Sequence, residues 1–84
     1  MNEERLMLKG RRVEYKQDLV RLNEQAQAAC MMIRMRVNPL IEPDPEKWDA
    51  RQVLEAARQL VELTDEMKAI REKLVAVNEA LGDE

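Results

Sequence analysis

The chain has 84 residues with 45% apolar and 2% aromatic content, and its formal net charge is −3. The net charge excludes a general attraction to nucleic acid or anionic membranes, and no apolar run approaches the ~20 residues of a membrane span. A single cysteine excludes an internal disulfide. Together with a charged N-terminal stretch that does not resemble a signal peptide, this predicts a cytoplasmic location.

Residues 3–37 are predicted to form the first helix. Asn2 can serve as its N-cap, and Glu3 and Glu4 lie where the positive end of the helix dipole favours acids. Gly10 and Arg12 interrupt the apolar pattern, so we expect the first dozen residues to fray or kink. Apart from Arg12, apolar residues recur at helical spacing at Leu8, Tyr15, Leu19, Leu22, Ala26, Ala29 and Ile33.

Residues 38–44 are predicted to form a proline-rich loop, and residues 45–81 the second helix. Two starts are open for this helix: Asp44 as N-cap with Pro45 in the first turn, or Asp49 as N-cap with Gln52 completing a capping box. We favour the first because it brings Trp48 onto the helix. Gly82 is expected to end the helix.

The second helix carries an unbroken heptad pattern, which is typical of a helix that is covered by another helix. We therefore predict an all-α fold: one domain, residues 1–84, in which two long helices form an antiparallel, coiled-coil-like hairpin. The expected register places Leu8 opposite Leu74 and Leu22 opposite Leu60. The heptad residues are Val53, Ala56, Leu60, Leu63, Met67, Ile70, Leu74, Val77 and Leu81.

The apolar face near the loop is wider than two helices can cover, which predicts self-association, most simply as a dimeric four-helix bundle. The extra apolar residues are Cys30, Met31, Met32, Met35, Val37, Leu54, Ala57 and Val61. Loop residues Leu40 and Ile41 are expected to fold back with Trp48 as a plug over the bundle end, the alternative being exposure to a partner. The residues predicted to hold the assembly together are Leu19, Leu22, Ile33, Val53, Leu60, Leu63, Met67, Ile70 and Leu74.

The residue types of the chain argue against catalysis and against a bound metal or cofactor. The chain has no His and no Ser, so neither a Ser-His nor a Cys-His nucleophile pair is available. One cysteine cannot build a structural zinc site. Cys30, Met31 and Met32 offer soft sulfur ligands, but consecutive helical residues point apart, so a role in packing is expected instead.

Four basic residues of the first helix, Lys9, Arg11, Arg12 and Lys16, could contact phosphates. Glu3, Glu4, Glu14 and Asp18 are interleaved with this basic cluster and nearly cancel its charge, so nucleic-acid binding is not favoured. The sequence therefore predicts a non-catalytic protein that binds itself, and another protein, through helix–helix contact. The alternative is an accessory or regulatory protein that associates with nucleic acid through the basic cluster.

Overall fold

A computed structural model describes residues 2–82 and shows two long helices packed against each other. Helix α1 spans Asn2–Arg36, and helix α2 spans Ala50–Leu81. The described chain contains no strand. The guanidinium of Arg5 contacts Leu81 at one end of the rod and that of Arg36 contacts Asp49 at the other, so the helices are antiparallel. The predicted all-α helical hairpin is confirmed.

Helix α1 differs from its prediction at its start and at its interruption. Asn2 is itself helical, so a cap would fall on Met1, outside the described residues. The helix runs without a break through Gly10 and Arg12, where fraying or a kink was predicted. Arg12 lies half-buried on the seam, the line of heptad residues along which α1 and α2 face each other. This is possible because a long side chain can lay its methylenes along apolar surface while its guanidinium reaches outward.

The favoured start of the second helix is wrong, and the alternative start is correct. Asp44 caps only a single turn of 3-10 helix, Pro45–Lys47. Trp48 then returns to extended backbone, with φ −72° and ψ 140°, because its indole N–H donates to the Glu42 carbonyl at 2.7 Å. Helix α2 begins five residues later than expected, where the carboxylate of Asp49 accepts the backbone N–H of Gln52 at 3.2 Å.

The end of helix α2 agrees with its prediction. Gly82 lies in the left-handed region at φ 72°, and its N–H donates to the carbonyls of Asn78 and Glu79. Only glycine reaches this conformation without a steric cost from a β-carbon, so the helix stops at Leu81.

The expected apolar plug over the loop end is not formed. Leu40 is 93% exposed and Ile41 is 64% exposed, while Trp48 is half-buried. The backbone N–H of Leu40 is held by the side chain of Asn38 at 2.9 Å, and this turn directs Leu40 away from the helices. The loop end of the hairpin therefore presents aliphatic side chains to solvent.

The core is a narrow line of small and aliphatic residues between the two helices. Leu22 is 1% exposed and forms its centre with Leu63 and Ile70, and Tyr15, Leu19, Ala26 and Met67 pack around them. Such an interior fits the shape of the molecule, a rod 63 Å long and 17 by 15 Å across. The remaining buried residues continue the line toward both ends: Ala29, Ala56, Val77 and Leu81.

The observed register differs from the predicted one. In the predicted register Arg5 would face Val77, and Arg36 would face Glu46. The structure instead joins Arg5 to the carbonyl of Leu81 at 3.3 Å and Arg36 to the carboxylate of Asp49 at 3.4 Å. Both contacts lie three or four residues further along α2, so the helices are offset in that direction. Heptad spacing predicts which residues of each helix face the other helix, but it does not predict how far the two helices are shifted along each other.

Replacing Asp49 is expected to destabilise the hairpin, because this one carboxylate caps α2 and pairs with Arg36 across the loop. We expect Asp49→Ala to cost about 1–2 kcal/mol of unfolding free energy, measured by urea denaturation followed by circular dichroism. Asp49→Asn is the matched control: it keeps a capping oxygen and loses the charge, so it should retain most of the stability. Equal losses in both variants would contradict the capping role.

Candidate interaction surfaces

The nine residues predicted to hold an assembly together all lie on the seam between α1 and α2. Leu22, Leu63 and Ile70 are buried, and Leu19 and Met67 pack directly against them. The other four are half-buried: Ile33, Val53, Leu60 and Leu74. The hairpin itself uses this seam, so a second chain would have to contact mainly other residues.

Many large apolar side chains remain exposed on the hairpin. Those on the helices include Leu6 at 66%, Val20 at 60%, Leu54 at 51% and Val61 at 59%. Leu54 and Val61 were predicted from the sequence as apolar surface outside the seam, but the matching row on α1 was not. The missed signal is a spacing of seven residues outside the seam, which recurs at Leu6, Val13 and Val20.

The heptad positions show on which side of the hairpin each of these exposed residues lies. With Leu19 and Val53 as a positions and Leu22 and Ala56 as d positions, the exposed rows fall at b on both helices. In an antiparallel pair, the b and e positions of both helices share one side, and the c and g positions share the other. The geometry agrees, because Met32, a g position, lines a groove with the g positions Gln52 and Gln59.

Acidic residues are absent from one side of the hairpin. None of the eleven Asp and Glu residues of α1 and α2 occupies a b or e position. We call the b and e side the acid-free face. The charges on it are all basic, at Lys9, Lys16, Arg34, Lys68 and Arg71. The remaining exposed positions carry all eleven carboxylates: Glu3, Glu4, Glu14, Asp18, Glu24, Glu55, Glu62, Asp65, Glu66, Glu72 and Glu79.

The methionines of α1 form a second apolar surface near the loop. Met31, Met32 and Met35 line a shallow groove with Ala28 and Arg36. Apart from Arg36, these residues lie at c, f and g positions, so the groove faces away from the acid-free face. Methionine side chains adapt readily to differently shaped surfaces, so this groove is a candidate contact surface.

The basic cluster predicted from the sequence does not form a single patch. Lys9 and Lys16 are at e positions, Arg11 is at a g position on the other side, and Arg12 is half-buried on the seam. A nucleic-acid backbone laid along one side of the rod would therefore meet only part of the cluster, which limits the number of phosphates neutralised at once. No geometric feature of the described residues favours nucleic-acid binding.

Among residues 2–82, no three His, Cys, Asp or Glu side chains lie close enough together to hold a metal ion. Cys30 is a free, exposed thiol at an e position of the acid-free face. Within the same part of the chain, neither helix contains a stretch that is long and apolar enough to cross a bilayer.

Comparison with known proteins adds no relative: no family model, curated protein or solved structure matches the chain.

Proposed function

We propose that the protein is non-catalytic and acts through helix–helix contact, associating with a second copy of itself as a coiled-coil-like four-helix bundle and in that form binding another protein. The proposal rests on surface that the hairpin leaves uncovered. It places the protein in the cytoplasm, where a reducing environment keeps an exposed thiol such as that of Cys30 unpaired.

The observation that carries the proposal is the large exposed area of the chain. The hairpin exposes 6723 Å², whereas a compact monomer of 9.8 kDa exposes about 5,200 Å² by the usual scaling with mass. The excess of about 1,500 Å² exceeds the ~800 Å² that each partner buries in a standard protein interface. Covering part of this excess with a second copy would supply the apolar burial that a small, aromatic-poor core lacks.

Self-association predicts that the mass of the protein depends on its concentration. Light scattering coupled to size-exclusion chromatography should return about twice the chain mass of 9.8 kDa at micromolar concentration and fall toward 9.8 kDa on dilution. Helical circular dichroism should weaken over the same range if the bundle stabilises the hairpin. A mass of 9.8 kDa at every concentration tested would refute self-association.

A further inference from the structure

We infer that the loop-proximal half of the acid-free face is the surface on which the second copy docks. This half comprises the b and e positions of residues 20–37 and 54–64. Its apolar residues are Val20, Cys30, Val37, Leu54, Ala57 and Val61. The inference rests on the proposed self-association and specifies which of several exposed surfaces mediates it.

The charge distribution distinguishes this half from the other surfaces of the hairpin. Arg34 is the one charged residue among its b and e positions. Over the same stretch, the c, f and g positions carry Arg21, Glu24, Glu55, Arg58 and Glu62. Buried interface centres are depleted of charge because each unpaired ion loses its hydration there. The uncharged half can therefore be covered at the smallest desolvation cost.

The rest of the acid-free face limits how far the two copies overlap. Lys16, Lys68 and Arg71 lie on its terminal half, and no acid lies there to pair with them. Two copies joined over their full length in the same direction would bring these like charges together, and in opposite directions would bury them without a counter-charge against the loop-proximal half of the other copy; both are unfavourable. Contact restricted to the loop-proximal half avoids this repulsion and leaves the basic half in solvent.

Symmetry favours a contact between identical faces. Pairing the acid-free face of one copy with the acidic side of another would be heterologous, and contacts of that kind continue into filaments unless they close into a ring. A twofold axis through the loop-proximal half gives a closed dimer with the same residues on both sides. A second copy is also present wherever the chain is made, so it can always supply the apolar burial that the small core lacks.

Paired lysine substitutions on opposite sides of the hairpin test the inference. Leu54→Lys with Val61→Lys places charge in the proposed contact, and Met31→Lys with Met35→Lys is the matched control. All four are exposed apolar residues of the helices: Leu54 and Val61 are 51% and 59% exposed, and Met31 and Met35 are 65% and 61% exposed. The first pair should raise the dimer dissociation constant at least about tenfold, measured by light scattering over a dilution series, and the control pair should leave it unchanged.

Alkylation of Cys30 supplies a readout that does not depend on a folded variant. In the wild-type chain, the rate of maleimide reaction at Cys30 should fall as the concentration rises through the range in which the dimer forms. The comparison is Ala28→Cys in a Cys30→Ala background. This thiol lies at an exposed c position on the opposite side and should react at the same rate at every concentration.

The results of these two experiments distinguish failure of the docking face from failure of self-association. A dimer that resists the Leu54 and Val61 pair, with Cys30 equally reactive at all concentrations, would overturn the docking face and leave self-association intact. Loss of the dimer in the Met31 and Met35 pair would move the contact to the methionine groove. A wild-type chain that stays monomeric and binds phosphatidylserine vesicles would overturn both, since the acid-free face would then serve an anionic surface.

Discussion

Leu22→Asp is expected to abolish the folded hairpin at micromolar concentration. Leu22 is the most deeply buried side chain of the described residues, at 1% exposed, and packs with Leu63 and Ile70 at the centre of the rod. A carboxylate at this position would lose its hydration with no cation beside it in the core, which costs several kcal/mol. A small domain has about 5–15 kcal/mol of stability in total, so the helical circular dichroism and the cooperative thermal transition should both be lost.

Leu6→Asp is the matched control, because it makes the same chemical change on the same helix at a side chain that is 66% exposed. It should shift the melting temperature by only a few degrees, since an exposed carboxylate stays hydrated. A folded Leu22→Asp variant with unchanged melting temperature would show that the seam does not pass through Leu22. Equal damage from both substitutions would show that Leu6 is covered in solution.

Leu63→Ala is expected to destabilise the hairpin much more than Leu60→Ala. The heptad pattern treats these residues alike, but Leu63 is buried at 7% exposed within the central cluster, whereas Leu60 is half-buried and outside it. Truncating a buried leucine costs about 2–5 kcal/mol, because both transfer energy and packing are lost. A half-buried leucine leaves no closed cavity, so its loss should be about half as large or less.

Urea denaturation of both variants measures this difference directly. The two residues share a helix, a residue type and a neighbourhood one turn apart, so helix propensity cancels from the comparison. If Leu60→Ala costs as much as Leu63→Ala, the side chain of Leu60 is covered by something other than α1, and a second copy becomes the first explanation. If Leu60→Ala costs more than Leu63→Ala, α2 is rotated so that Leu60, and not Leu63, faces the centre of the core.

The placement of acids on this hairpin suggests how a short chain can both remain soluble and associate. Eleven carboxylates on the c, f and g positions keep most of the rod hydrated. The proposed contact lies on the side without them, where the loop-proximal half is nearly uncharged. This arrangement would allow one defined association and oppose general aggregation, because any other pairing of sides buries carboxylates.

The sequence by itself determined the helical hairpin and most of its boundaries. The heptad pattern of α2 requires a covering helix, and Pro39, Pro43 and Pro45 interrupt helical backbone between the two segments. Gly82 could be identified as the end of α2 because a left-handed residue commonly stops a helix. The exclusion of acids from the b and e positions is also present in the sequence, although it becomes visible only once the seam is assigned.

The tertiary structure alone decided the start of α2, the register and the division of the apolar residues. Asp44 and Asp49 are both good caps by local rules, and the choice depended on a hydrogen bond from the Trp48 indole to Glu42 together with the pairing of Arg36 and Asp49. The register could not be predicted because a seven-residue repeat lets the apolar rows of the two helices face each other at several offsets along the rod. The nine residues predicted to hold an assembly together lie on the seam that packs within one chain, because the nearest covering helix is the one that the loop folds back.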